Sequence, residues 1–274
     1  MNDETTASAV AGGVEKRAAV SSARRTGPLT RWATYVWRMP LMLLATAFFG
    51  CFSLTASLWD KRGRQQHAIA RVWARCLLVF AGSPVKVVDA HKLPVEPLAV
   101  YASNHLSYMD TPVLFAKLPF QFRILAKQGL WKVPFIGWHL RRSGQVAVDQ
   151  TSSRAAISSL GRGVAALKAR MPLVVFPEGG RSADGEVQDF LAGAAYMALR
   201  AQVPLVPLTL VGTYELLPIH VYHLAPRPLL LVVGDPIATE GLGTRDADAL
   251  TSRLREEITR TYLRYSGEEI HRVL

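Results

Sequence analysis

A histidine and an aspartate stand five positions apart in residues 103–110, which read SNHLSYMD. His105 is the type of side chain best suited to take and return a proton near neutral pH, and a carboxylate such as Asp110 can fix its tautomer and stabilise its charged form. Residues i and i+5 lie about 140° apart on a regular helix, so the two side chains can meet only if the chain turns between them. Because so short a motif also arises by chance, its interpretation depends on the rest of the chain.

Two further segments combine polar groups with apolar runs. Residues 173–182 read LVVFPEGGRS, where the glycines allow close backbone approach and Arg181 offers a planar fork of donors suited to phosphate. The alternative is an ordinary turn after a strand, with a solvated acid and arginine. Residues 123–137 place cations such as Lys127 beside Trp131 and Phe135, which indicates either a phosphate and lipid contact or a solvated basic face over a core helix.

Composition favours a folded, basic protein with a polyanionic partner. The 274 residues are 50% hydrophobic, enough for one large domain or one domain with an appendage. With 32 Lys and Arg against 21 Asp and Glu, the formal charge of +11 suits nucleic acid, an anionic membrane or a phosphorylated substrate. Cys51 and Cys76 form no CxxC pair, and no acidic or Cys cluster accompanies His220 and His223, so we predict no metal site.

The chain divides into three predicted regions. Residues 1–27 are rich in Ala, Ser, Thr, Gly and charge, which is typical of a flexible tail. Residues 39–59 carry no charge and could cross a hydrocarbon core about 30 Å thick, although a buried core helix passes the same test. Residues 65–81 have the periodicity of a basic amphipathic helix. We therefore predict that residues 28–83 form a two-helix membrane-binding unit.

Residues 84–274 alternate short apolar runs with helical patterns, which predicts an α/β domain whose mostly parallel sheet is flanked by helices. The predicted strands are 85–88, 98–102, 123–126, 145–148, 173–176, 203–211 and 229–233. The predicted helices are 111–118, with Asp110 as its N-cap, 154–169, 191–201 and 246–265. His105 and Glu178 each follow a strand, and ligands of open α/β sheets bind beyond the carboxyl ends of strands.

Four blocks between about residues 99 and 211 resemble, in order, those of the 1-acyl-sn-glycerol-3-phosphate acyltransferases, the PlsC-type glycerolipid acyltransferases. Residues 104–110 match the NHxxxxD block, and 127–137 resemble the second block. Residues 176–182, FPEGGRS, are similar to the third, usually FPEGTRS, and 203–208 are similar to the fourth, VPxxP. Each block is weak alone, but the four in this order are specific.

The resemblance implies the glycerolipid acyltransferase fold. It also implies transfer of a fatty acyl group from acyl-CoA or acyl carrier protein to the sn-2 hydroxyl of 1-acylglycerol-3-phosphate. The product would be phosphatidic acid for phospholipid biosynthesis, with the thioester as co-substrate and no cofactor or metal. His105 would be the general base and Asp110 its orienting partner. The substrate-binding residues that the resemblance implies are Asn104, Lys127, Glu178, Gly179 and Arg181.

Within that set the implied roles differ. Lys127 and Arg181 would hold the acceptor phosphate, whereas Glu178 and Gly179 would line the glycerol site. Gly180 stands where the family usually has threonine, so a hydroxyl contact would be lost or moved to Ser182. Residues 128 and 129 also depart from the usual Lys and acid.

The resemblance further implies monotopic attachment to a bacterial-type cytoplasmic membrane through its anionic surface, with the catalytic domain on the cytoplasmic side. Three alternatives remain at this stage. The same chemistry could act on another lysophospholipid or an acylated amino-acid lipid, or the protein could bind anionic lipid without catalysis. A nucleic-acid binder is the third, but the basic residues form no recognisable nucleic-acid module, so we predict no such partner.

Overall fold

The computed structural model describes residues 26–149 and 151–266. The predicted flexible tail, residues 1–27, lies outside this part of the chain except for its last two residues. Two helices come first. Helix α1, Pro28–Ala56, contains a π-helical segment, Thr34–Arg38, and is followed by α2, Arg64–Ala81. Among the described helices, α1 is the one long and apolar enough to cross a membrane by length and composition.

The turn between α1 and α2 is fixed by Asp60 and Gly63. The Asp60 carboxylate accepts hydrogen bonds from the backbone N–H groups of Arg64 at 3.0 Å and Gln66 at 2.9 Å, which satisfies donors at the start of α2. Gly63 adopts a left-handed conformation with φ of 67°, which glycine reaches at little cost. Helix α2 ends at Ala81, and the residue that caps it, Gly82, is also left-handed.

Helix α1 turns a continuous apolar face outward. Most of its large side chains are exposed, and α2 adds Val72 and Val79 to the exposed apolar surface. The exposed aromatic and large aliphatic residues of α1 are Leu29, Trp32, Tyr35, Val36, Trp37, Leu41, Leu43, Leu44, Phe48 and Phe52. A contiguous apolar surface of this kind marks a contact with membrane or protein.

Seven strands follow, and they form one sheet in the order β1-β7-β6-β2-β5-β3-β4. Every neighbouring pair is parallel except β6 and β7. The predicted fold class, a mostly parallel sheet flanked by helices, is confirmed. The strands are β1 Val85–Val88, β2 Val100–Ser103, β3 Arg123–Lys127, β4 Val146–Val148, β5 Leu173–Val175, β6 Leu205–Val211 and β7 Leu229–Val233.

The remaining helices cover the two faces of this sheet. They are α3 Asp110–Lys117, α4 Ile136–Arg142, α5 Ser153–Lys168, α6 Gly193–Ala201, α7 Thr213–Leu216 and α8 Ala247–Tyr265, and a 3₁₀ turn, Gln128–Lys132, precedes α4. Alternate residues of β2 enter different cores. Val100 and Ala102 pack with α5, α6 and α8, whereas Tyr101 packs with α2 and α3. The N-terminal helices thus share a core with the sheet, because Met42 and Ala74 belong to the same cluster as Tyr101.

The sheet order positions the candidate site. Strands β2 and β5 are parallel neighbours, with Val100 opposite Leu173 and Ala102 opposite Val175. Because parallel strands end at the same edge of a sheet, the loop after β2, with His105, meets the loop after β5, with Glu178.

Candidate active site

His105 and Asp110 form a hydrogen-bonded pair. Asp110 Oδ2 lies 2.8 Å from His105 Nδ1, so Nε2 is the ring nitrogen left for a substrate. The imidazole stacks on Phe176, with ring centroids 4.0 Å apart and planes 16° from parallel. One wall of the ring is therefore covered, while the His105 side chain is 18% exposed and lines a cavity. This arrangement can perform general acid–base chemistry.

The Asp110 carboxylate organises the turn that brings the pair together. Its Oδ2 also accepts the backbone N–H groups of Leu106 at 2.6 Å and Ser107 at 2.8 Å, and the side chain is completely buried. The prediction that the chain turns between His105 and Asp110 is confirmed. The N-cap prediction is wrong: Met109 occupies the N-cap position, and Asp110, the first helical residue, bonds the turn that precedes α3. The Asp110 carboxylate therefore accepts the N–H groups of Leu106 and Ser107 instead of capping α3.

The peptide of His105 is held from both sides by the loop after β5. Its N–H donates to Glu178 Oε1 at 2.8 Å, and its C=O accepts the backbone N–H of Ser182 at 2.8 Å. Glu178 Oε2 accepts the N–H of Gln188 at 3.3 Å. Burial raises the pKa of Glu178 from 4.5 to about 7, although both N–H donors act in the opposite direction.

This geometry corrects the expectation that Glu178 lines the glycerol site. Glu178 is absent from the cavity wall, whereas its neighbours Gly179 and Gly180 are part of it. Its carboxylate is turned toward the backbone of His105 because that N–H, at the end of β2, has no ladder partner. Glu178 thus supports the candidate base.

Asn104 is a second correction. Its side chain is completely buried, its Nδ2 donates to the carbonyl of Leu210 at 2.9 Å, and its Oδ1 accepts the N–H of Leu210 at 2.8 Å. Both ends of the amide are used to join the end of β2 to β6. Asn104 therefore fixes the position of the next residue, His105, and does not face a substrate.

The two glycines of the third block make the turn after β5. Gly179 has φ of 68°, and its N–H donates to the carbonyl of Phe176 at 3.1 Å. Gly180 lies beside Lys127, whose Nζ would be 3.7 Å from an added Cβ, the nearest atom to it. Ser182 does not replace a hydroxyl contact at this wall, because it is buried and its Oγ donates to Asp184 Oδ1 at 2.7 Å.

Lys127 and Arg181 both line the cavity that His105 enters. Neither forms an ion pair or hydrogen bond with another residue in ranges 26–149 and 151–266. The Arg181 guanidinium lies over the ring of Tyr108, 3.6 Å from its centroid. Two cations near a base form a place where an anionic group can be held.

The cavity has a volume of about 490 Å³ and is mainly apolar. Its wall comes from helices α1 to α6 and the sheet, and includes Phe49, Trp73 and Phe135. A polar pair interrupts it, where Ser53 Oγ lies 2.6 Å from His139 Nδ1. Burial, and then Arg123, lower the pKa of His139 to about 4, so this imidazole is neutral at pH 7. Within the described residues, no three His, Cys, Asp or Glu side chains gather as a metal site requires.

Several side-chain contacts in the site could not be predicted from the sequence. The sequence does not predict the contacts of Phe176 and Ser182 with His105, or of Tyr108 with Arg181, since each joins distant segments of the chain. For Phe176, the one signal in the sequence is an aromatic residue at the end of a predicted strand, directly before the polar residues of the loop. For the Ser53–His139 pair, 86 positions apart, the sequence offers no signal.

The chain is similar in sequence to known acyltransferases. The Acyltransferase family pattern matches residues 84–211. The 1-acyl-sn-glycerol-3-phosphate acyltransferase of Saccharomyces cerevisiae is 31% identical over 235 residues, which are 83% of this chain and 77% of that protein. The chloroplastic 1-acyl-sn-glycerol-3-phosphate acyltransferase LPAT1 of Arabidopsis thaliana is 33% identical over 158 residues, 57% of this chain and 44% of that one.

A solved structure shows the same fold. The PlsC acyltransferase of Thermotoga maritima superposes with a TM-score of 0.70 at 24% identity, covering 85% of this chain and 93% of that one. The chain is thus an acyltransferase, and it belongs to the 1-acyl-sn-glycerol-3-phosphate acyltransferase family. The resemblance stated from the four sequence blocks is confirmed.

Proposed function

We propose that this enzyme transfers a fatty acyl group from a thioester to the sn-2 hydroxyl of 1-acylglycerol-3-phosphate and so makes phosphatidic acid. The donor is acyl-CoA or acyl carrier protein, and no cofactor takes part. The observation that carries the proposal is the free ring nitrogen of His105 on a cavity that also holds Lys127 and Arg181. The names of the yeast and plant relatives support the choice of acceptor.

In the proposed reaction the acceptor hydroxyl gives its proton to His105 Nε2 while its oxygen attacks the thioester carbonyl carbon. An ester C–O bond forms and the C–S bond breaks. The proton then passes from His105 to the departing sulfur, which leaves as a free thiol. Asp110 stabilises the imidazolium formed between these steps, and its hydrogen bond with Nδ1 keeps the tautomer fixed. No acyl group needs to be attached to the protein.

The two cations and the apolar wall would place the substrates. Lys127 and Arg181 would bind the acceptor phosphate, because a guanidinium edge and an ammonium suit its oxygens. The cavity of about 490 Å³ lies within the range of small-molecule sites, and each buried CH₂ of an acyl chain contributes about 0.8 kcal/mol. Binding in a fixed geometry lowers the barrier to attack.

The membrane would supply both lipids. In the proposal, α1 rests in one leaflet with its exposed apolar face in lipid, and the arginines of α2 face anionic headgroups. Attachment is monotopic, to a bacterial-type cytoplasmic membrane with the catalytic domain on the cytoplasmic side. The exposed aromatic residues of α1 suit the interface between headgroups and hydrocarbon.

A second acceptor class follows from Gly180. A side chain there would meet nothing nearer than Lys127 Nζ, so the absence of one leaves space beside the phosphate cations. Such space favours a larger head, as in another lysophospholipid or an acylated amino-acid lipid.

The test is an acyl-transfer assay on the purified enzyme in mixed micelles, with thiol release and phosphatidic acid both measured. The 1-acylglycerol-3-phosphate acceptor is paired with acyl-CoA or acyl carrier protein, and other lysolipids serve as competing acceptors. We expect His105→Ala to lower turnover about 10²–10⁴-fold without loss of the fold. Near-normal turnover in that variant would remove the mechanism. A preference for another lysolipid over 1-acylglycerol-3-phosphate would instead select the second acceptor class.

Arg181→Ala tests the phosphate contact. We expect it to weaken binding of 1-acylglycerol-3-phosphate far more than that of 1-monoacylglycerol, measured as substrate or as competitive inhibitor. An equal loss for both lipids would show that Arg181 does not bind the phosphate.

A further inference from the structure

Tyr108 lies between His105 and Asp110 in the sequence, but it takes part in none of the hydrogen bonds described for these two residues. Its side chain is 54% exposed, and its ring carries the guanidinium of Arg181 at 3.6 Å from the centroid. An exposed aromatic ring at a catalytic turn contributes little to core packing. Its contact with a cation on the cavity wall therefore requires an explanation.

The backbone under Tyr108 is rigid. The residues on either side are held, because the N–H of Ser107 donates to Asp110, Ser107 Oγ donates to the carbonyl of Leu217 at 2.8 Å, and the N–H of Met109 donates to Ser107 Oγ at 3.2 Å. The backbone that carries the Tyr108 ring is therefore held in place with respect to His105.

The backbone of Arg181 is tied to the same turn. Its neighbour Ser182 donates its N–H to the carbonyl of His105 at 2.8 Å. Backbone contacts thus place the start of the Arg181 side chain, but they leave its several rotatable bonds free. The ring of Tyr108 is the described contact that restrains the far end.

Stacking restrains a guanidinium without using its donors. The five N–H groups lie in the guanidinium plane, so an aromatic ring on the face leaves all of them available at the edge. A carboxylate partner would occupy those donors and cancel the charge. No described residue forms an ion pair with Arg181, and Lys127 lies on the same side of the cavity.

We propose that Tyr108 is a positioning residue: its ring fixes the plane of Arg181 so that the N–H edge meets the phosphate of the acceptor. The inference rests on the proposed phosphate role of Arg181 and adds the residue that sets its orientation. Recognition of the anionic headgroup is thereby built on the same turn as the general base, which fixes the distance between phosphate and reacting hydroxyl.

The test compares Tyr108 variants in steady-state kinetics with 1-acylglycerol-3-phosphate and palmitoyl-CoA. We expect Tyr108→Ala and Tyr108→Leu to raise KM for the acceptor about three- to thirtyfold, while KM for the donor and kcat change little. Tyr108→Phe and Tyr108→Trp keep an aromatic face and should retain a low KM. Tyr108→Leu keeps apolar bulk, so a packing role would leave its KM low.

A double-mutant cycle links the effect to Arg181. In an Arg181→Ala background, Tyr108→Ala should cause little further rise in KM, because the residue it positions is gone. Tyr222→Ala, which removes an exposed tyrosine outside the site, is the matched control and should resemble the wild type.

The outcomes separate the inference from the function it rests on. If Arg181→Ala leaves the acceptor KM unchanged, the phosphate role falls and the positioning role falls with it. If Arg181→Ala raises that KM but Tyr108→Ala does not, only the positioning role is overturned. A Tyr108→Ala variant that lowers kcat with unchanged KM, or whose effect adds fully to that of Arg181→Ala, would also overturn it, because the ring would then act on the His105 turn.

Discussion

Replacement of Glu178 by glutamine should remove a titration that opposes folding near neutral pH. Burial raises the pKa of this carboxyl from 4.5 to about 7. The folded protein therefore keeps the Glu178 proton at pH values where the unfolded chain has lost it. Stability from this group is complete below pH 4.5, falls by about 1.4 kcal/mol per pH unit above it, and is lost once the pH passes about 7.

The total loss for the wild type is about 3 kcal/mol over that interval, since the two pKa values differ by about two and a half units. An amide does not titrate, so the stability of Glu178→Gln relative to wild type should rise by that amount between pH 4.5 and 7.5. For a chain of this size, the rise corresponds to about 6–12 °C in the difference of melting temperatures. The glutamine oxygen can still accept the His105 N–H, and only the longer bond from Gln188 is lost.

The assay is thermal unfolding of both proteins in the same detergent from pH 4.5 to 8. Taking the difference between variants removes titrations that the two proteins share. Glu256→Gln is the matched control, because Glu256 is exposed and makes no hydrogen bond or ion pair with another described residue. A difference for Glu178→Gln that stays flat with pH would refute the buried, proton-retaining state of Glu178.

Three other predictions concern the candidate catalytic pair, the end of β2 and the start of α4. Asp110→Asn should lower kcat about 10²–10⁴-fold with the fold retained, because the tautomer and charge of His105 are no longer fixed. Circular dichroism checks the fold and single-turnover rates check the chemical step. A loss of less than about tenfold would contradict the prediction. Asn104→Ala should lower the free energy of unfolding by about 2–5 kcal/mol, because it leaves the buried N–H and C=O of Leu210 without hydrogen-bond partners. Each kcal/mol corresponds to about 2–4 °C in melting temperature for a chain of this size. A melting temperature within about 2 °C of the wild type would show that the amide is not needed. Gly137→Ala should destabilise by at least about 1–3 kcal/mol because its methyl group would overlap the backbone carbonyl of Trp131, whereas Gly161→Ala, with open space around it in α5, should be neutral or stabilising; equal melting temperatures for the two would be the contrary result.

Local patterns predicted the seven strands and four of the helices after residue 84, but not the short helices α4 and α7. The strands and helices predicted after residue 84 agree with the structure to within two residues at nearly every end, since apolar runs and turn residues act over a few positions. The sequence also indicated how His105 and Asp110 can pair, because side chains five residues apart meet only if the chain turns between them. The N-cap prediction for Asp110 was wrong because its carboxylate accepts the N–H groups of the preceding turn, Leu106 and Ser107, and not those of the helix.

Roles that depend on long-range partners could not be predicted. The family resemblance implies substrate contacts for Asn104 and Glu178. Their actual partners, Leu210 and the N–H of His105, lie 106 and 73 positions away. The type of a side chain determines which groups it can hydrogen-bond, but the order of the strands determines which unpaired backbone groups lie within its reach.

The sequence by itself determined the fold class and the family and singled out His105 and Asp110 as the candidate catalytic pair, because these follow from periodicity and from short, ordered blocks. The tertiary structure alone decided that β2 lies between β5 and β6. That neighbourhood gives His105 its clamp from Glu178 and Ser182, gives Asn104 its partner in β6, and sets Arg181 on the ring of Tyr108. The physical reason is that strand neighbours are chosen by the burial of two whole faces of the sheet, a choice that no single segment of the chain encodes.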